Sequence, residues 1–202
     1  MKNFIQGFLI LYFSVNVYGQ KVVKMISIYS TENKDLTSLM RFQNVSMENL
    51  LFESINLKGK SYEVNLKEYK NSKLVKTTSL LDGENFVEID STVFSLKVLS
   101  KIENNKITLF AETERMSGEK MKFKIENEKK SHSYVLKNFQ GNKKYLDVPI
   151  TGEFPILAII TPVEMEKGYF SYCEIAQSEV PPEKYGEKFK LPHYFIITMK
   201  FK

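Results

Sequence analysis

The chain has 202 residues, 43% hydrophobic and 13% aromatic, with a formal net charge of +5. That apolar content excludes a disordered chain, and a single cysteine, Cys173, excludes a disulfide-dense scaffold. The basic excess is lysine, with arginine only at 41 and 115, and it alternates with glutamate as in Glu119-Lys120-Met121-Lys122. This is a mixed solvated surface, unlike the arginine forks that read phosphate and bases, so no nucleic-acid partner is expected.

Residues 1–19 read as a secretory leader. Lys2 gives a positive start, 4–17 is apolar, and Val17-Tyr18-Gly19 places small residues at the two cleavage-site positions. Gln6, Ser14 and Asn16 confine the uninterrupted apolar core to 7–13, short of the roughly 20 residues a spanning helix needs. The nearest other stretch, 154–160, is likewise far too short and contains Pro155. The expectation is export to the periplasm, cell surface or medium of a bacterial cell. Residues 20–202 are expected to form one domain, with no transmembrane helix after leader cleavage.

Beyond the leader the dominant period is two. Ser61-Tyr62-Glu63-Val64-Asn65-Leu66-Lys67, Phe94-Ser95-Leu96-Lys97-Val98 and Met121-Lys122-Phe123-Lys124-Ile125-Glu126 alternate polar and apolar, as strands with one wet face do. Strands are placed at 21–29, 47–57, 61–70, 73–81, 93–102, 106–114, 120–126, 133–139, 156–162, 168–176 and 193–201. Lys58-Gly59-Lys60, Asn71-Ser72, Asp82-Gly83, Asn104-Asn105, Ser117-Gly118 and Lys167-Gly168 supply turns between them. One short helix is allowed, capped by Thr31, in which Leu36, Leu39 and Met40 would share a face; an ordered loop is the alternative. All six prolines lie between Pro149 and Pro192, so irregular connections are expected there, the longest at 177–191. The closing run Tyr194-Phe195-Ile196-Ile197 is apolar on both faces and predicts a strand buried on both sides. The fold class is all-β, an antiparallel sandwich, with a closed barrel as the alternative.

Chemistry is sparse. Two histidines and one cysteine provide no zinc set of ordinary spacing, and the sequence contains no HExxH, P-loop, GxGxxG or GxSxG. No metal and no cofactor are expected, and no catalytic residue is assigned. Cys173 with His193 would make a sensible nucleophile and base, but Cys173, in the strand at 168–176, alternates with Ser171 and Ile175, and His193, in the strand at 193–201, alternates with Phe195, Ile197 and Met199, so both read as packing. His132, in Ser131-His132-Ser133, reads as a loop residue. Asn44-Val45-Ser46 matches a glycosylation triplet of little specificity. Glu164, Glu166 and Glu174 would share a sheet face if Lys167-Gly168 made a hairpin, giving the carboxylate set of an extracytoplasmic hydrolase. Tyrosines and phenylalanines at 169, 170, 172, 185 and 194 concentrate in the same region and suit contact with carbohydrate, peptide or protein.

The leading expectation is an exported, non-catalytic binding protein. Its rim is formed by 164–175 and 177–194, and Tyr172, Glu174, Tyr185 and His193 are its contact residues. The alternatives are a hydrolase, a structural envelope component with an unpaired edge at 21–29, and a small outer-membrane barrel.

Overall fold

The computed structural model describes residues 22–29, 31–84, 88–126, 133–165 and 168–202. The expected leader, His132, Glu166 and Lys167 lie outside the described residues. In chain order the elements begin with β1 (Val22–Tyr29), α1 (Lys34–Phe42), β2 (Val45–Glu53), β3 (Tyr62–Lys70) and β4 (Lys73–Asp82). They continue with β5 (Val93–Glu103), β6 (Lys106–Thr113), β7 (Met121–Lys124), β8 (Val135–Asn138), β9 (Leu146–Pro149) and β10 (Glu153–Ile160). The last part holds β11 (Val163–Glu164), β12 (Phe170–Ser171), α2 (Cys173–Ala176), a 3₁₀ turn Pro182–Lys184, α3 (Tyr185–Phe189) and β13 (His193–Phe201).

Two antiparallel sheets pack face to face, ordered β7-β6-β5-β2-β1-β9 and β4-β3-β13-β10-β8. They do not close, which overturns the barrel alternative. Alternation builds the core between them. Leu50 and Phe52 of β2, Phe94, Leu96 and Val98 of β5, and Tyr62, Val64 and Leu66 of β3 all turn inward and are buried. One end of this core is an aromatic box in which Phe52, Phe94, Phe154 and Phe201 meet at centroid separations of 5.6–6.4 Å. The two-residue turns Asn71-Ser72 and Asn104-Asn105 take positive φ throughout, the hairpin geometry their residue types suggest.

A second, smaller core lies outside the β4–β8 sheet. The chain from α2 to Leu191 straps across that face, so Ile175, Ala176, Tyr185 and Leu191 cover Tyr69, Ala158, Ile160, Tyr194 and Ile196. This is why β10 and β13 are apolar on both faces, as the closing run predicts. The long connection at 177–191 thus covers a face of the sandwich.

Three expectations need correction. The strand at 168–176 exists only as β12; the chain then turns helical, because the consecutive residues Ile175 and Ala176 both pack against the sheet, which alternation forbids. β1 is no free edge, since β2 and β9 flank it. The long edge is β4, where two register shifts leave Val75 and Leu80 unpaired and lysines stand at 73 and 76, devices that discourage edge pairing. β9 was not expected as a strand, and it tolerates Pro149 because its far side pairs with nothing among the described residues. Pro155 likewise sits at a register shift, ahead of the stretch of β10 that β8 covers.

Candidate binding surface

The rim residues separate into core and surface. Tyr185, on α3, is 1% exposed, with its ring 5.5 Å from Phe189 and 6.0 Å from Tyr194. Burial pushes its hydroxyl up to about 12. Tyr194 stacks on Tyr69 at 5.0 Å, and its hydroxyl donates to the Glu183 carbonyl. These tyrosines hold the strap down and offer no ring to a ligand.

His193 is buried at the start of β13. Nδ1 accepts the Glu126 N–H at 3.4 Å, so the proton resides on Nε2, which donates to Glu68 Oε1 at 3.0 Å. Its carbonyl accepts the Tyr134 hydroxyl at 2.8 Å. Both ring nitrogens are engaged, and neither with Cys173. The expectation that Cys173 packs inward fails with the strand that carried it, because on α2 the thiol is exposed.

Tyr172 is half-buried; its hydroxyl donates to the Ser133 carbonyl at 3.0 Å, and Lys137 Nζ stands 5.7 Å from the ring. Burial raises that hydroxyl. Glu174 is exposed, its N–H donating to Ser171 Oγ. Glu164 is exposed opposite Phe170 in the β11–β12 pair, whereas Glu174 sits on a helical turn beyond it. The carboxylate set imagined on one sheet face is therefore divided between two elements. Among the described residues no group of three or more His, Cys, Asp or Glu is arranged to hold a metal ion.

The exposed part of the aromatic cluster is the β11–β12 hairpin. Met165 N–H donates to the Tyr169 carbonyl at 2.7 Å, Gly168 turns the chain at φ +84, and Tyr169 projects with 81% of its surface exposed. Phe170 and Met165 are exposed beside it.

A second apolar projection is α1. Asn33, and not Thr31, caps it, Oδ1 accepting the N–H groups of Asp35 and Leu36, each at 3.0 Å. Gln43 N–H bonds back to Leu39, and Asn44 follows in the left-handed region, the ordinary way to stop a helix. Leu36, Leu39 and Met40 share a face as predicted, yet no residue of α1 is buried. Phe42 is 80% exposed, and Leu36 and Leu39 are exposed too. An amphipathic helix ordinarily lays its apolar stripe on a core.

Strand direction puts both projections at one end. β2 begins opposite the end of β5, β5 ends opposite the start of β6, and β7 pairs there. Phe123 of β7 meets Phe195 at 6.2 Å, near the start of β13 and the end of β10. So α1, leaving β1, and the hairpin, leaving β10, share the end opposite the aromatic box.

A groove of about 430 Å³ lies toward that other end, over Leu51, Val93 and Ser95 and walled by Glu114 and Arg115. Arg115 is tied to the Asp90 carboxylate and the Glu88 carbonyl. Among the described residues no helix is long and apolar enough to cross a membrane. No family model, curated protein or solved structure matches this chain.

Proposed function

We propose that this is an exported, non-catalytic interaction protein that docks a protein partner through the end carrying α1 and the β11–β12 hairpin. One observation carries the reading: Leu36, Leu39, Phe42, Met165, Tyr169 and Phe170 stand exposed on two separate elements at the same end. Such a concentration on a folded domain marks an interaction site more often than chance exposure, and aromatics of this kind are the usual anchors of interfaces. Aliphatic anchors suit a protein better than a carbohydrate, whose hydroxyls ask for hydrogen-bonding neighbours. Export rests on the leader pattern of residues 1–19. The hydrolase alternative has less support, because Glu164 and Glu174 are exposed on different elements.

The test is co-sedimentation of the purified protein with cell-envelope fractions, intact and protease-stripped. Leu39→Ser with Phe42→Ser, and Tyr169→Ser with Phe170→Ser, should each reduce binding at least about tenfold, the equivalent of losing one anchor of about 1.4 kcal/mol. Protease stripping should abolish it. Binding that survives both double variants refutes the surface; binding that survives stripping refutes a protein partner.

A further inference from the structure

Glu48 is a carboxyl in a place built for hydrocarbon. It takes the inward parity of Leu50 and Phe52 on β2 and is 1% exposed. From β1, Ser27 Oγ donates to Oε2 at 2.5 Å; from β8, Asn138 Nδ2 stands 3.3 Å from each oxygen. Gln140, just beyond β8, accepts the Ser27 N–H on Oε1 at 2.5 Å. From β5, Val98 lies opposite, and Ser100, buried with its hydroxyl unpartnered, is the next inward residue. The close donors are all neutral, and the charge that acts on the site is Lys137, neighbour of Asn138 on β8. Burying a carboxylate without a paired cation favours its protonated form. Accordingly burial raises the Glu48 carboxyl above its usual range, against the smaller opposing pull of Ser27, Asn138 and Lys137.

These bonds join β1 and β2 of one sheet to β8, the edge of the other. We propose that Glu48 is a pH-sensitive clasp between the sheets: neutral, it holds β8 against β1 and β2; ionised, it loosens that edge while the rest of the sandwich stays shut. The sign follows from linkage. The closed state keeps the proton where an opened, hydrated Glu48 would release it, so opening becomes easier as pH rises from the ordinary glutamate value to the raised one, then levels off. The inference stands whatever docks at the α1 end.

The test is amide hydrogen exchange by NMR on the full chain between about pH 4 and pH 8, comparing the parent with Glu48→Gln. The ratio of protection, variant over parent, cancels the intrinsic pH dependence of exchange. At the Ser27 amide and in β8 this ratio should rise by up to about tenfold per pH unit, starting near pH 4.3, and then plateau. Amides of the β3–β13 pair should show a constant ratio. A constant ratio at β8, or an equal rise everywhere, overturns the clasp. Should Glu48→Gln fail to fold, the carboxyl ¹³C titration of Glu48 decides: a midpoint above the ordinary glutamate value, moved higher by Ser27→Ala, is expected. A midpoint at or below that value overturns the proposal.

Discussion

Truncating Tyr185 to alanine tests whether the strap is a true second core layer. The ring is 1% exposed and lies among Phe189, Tyr194 and the outer residues of β10 and β13. A tyrosine takes roughly 150–250 Å² out of water, or about 4–6 kcal/mol at 25 cal/mol/Å². The retained β-carbon lowers the loss, and cavity formation adds to it, so Tyr185→Ala should cost about 3–5 kcal/mol. For a domain of this size that is a fall in Tm of roughly 10 °C. Urea denaturation followed by tyrosine fluorescence and circular dichroism measures it, with Tyr169→Ala as the control. Tyr169 is exposed, and its truncation should stay within about 0.5 kcal/mol of the parent. A loss below about 1 kcal/mol for Tyr185→Ala, or equal losses for the two variants, would refute the strap as a packed layer.

Two further outcomes follow from close packing and from charge. A β-carbon on Gly186 would lie 2.6 Å from the Ser72 backbone nitrogen and 2.9 Å from the Leu191 carbonyl oxygen. Gly186→Ala should therefore lift α3 and cost about 1–3 kcal/mol, and a thermal melt matching the parent would contradict that contact. Burial works to raise the Glu153 carboxyl, but bonds from Lys67 Nζ at 2.5 Å and Thr198 Oγ1 at 2.6 Å outweigh it and hold the carboxyl below its usual range. Its stabilising share is then complete above the unfolded glutamate value and lost as pH falls through the folded one. Thr198→Val should cost about 1 kcal/mol at pH 7, with the gap to the parent narrowing below about pH 4; a gap independent of pH would reject the account.

Alternation exposed the sandwich because most strands have one wet face. β3 and β5 read directly from Tyr62-Val64-Leu66 and Phe94-Leu96-Val98, all buried. The same rule failed at Cys173, where Ser171, Cys173 and Ile175 imitate a strand. Burial of both Ile175 and Ala176 shows that the register there answers to the strap packing over β10 and β13, a tertiary demand with no local signature. Tyr185 was misplaced for a related reason, whereas His193 is buried as its alternation with Phe195 and Ile197 predicts. A tyrosine on a polar, proline-rich loop looks available until the loop proves to lie on an apolar sheet face. Glu48 left a trace in its inward parity with Leu50 and Phe52, but its neutral partners on β1 and β8 are 21 and 90 residues away. Leu36, Leu39 and Met40 announced a shared face on α1, and their spacing says nothing about whether that face finds a core.

The unburied face of α1 has a physical cause in what lies at the end it caps. At the opposite end the sheets enclose Phe52, Phe94, Phe154 and Phe201, and an apolar helix laid there would find hydrocarbon. At the α1 end the inward positions include the polar Ser27, Glu48 and Ser100 from one sheet and Glu68 and His193 from the other, beside apolar residues such as Ile107 and Phe195. Folding Leu39 or Phe42 over that mouth would bring about 1.5–3 kcal/mol each from burial. It would also cut water off from Glu68 and Ser27, whose remaining lone pairs would have no new donors, at a comparable or larger cost. With the two terms nearly balanced, α1 keeps its stripe outward. A partner that brings its own hydrocarbon to Phe42 and Tyr169 gains the burial without desolvating the mouth, which is the energetic condition for docking there.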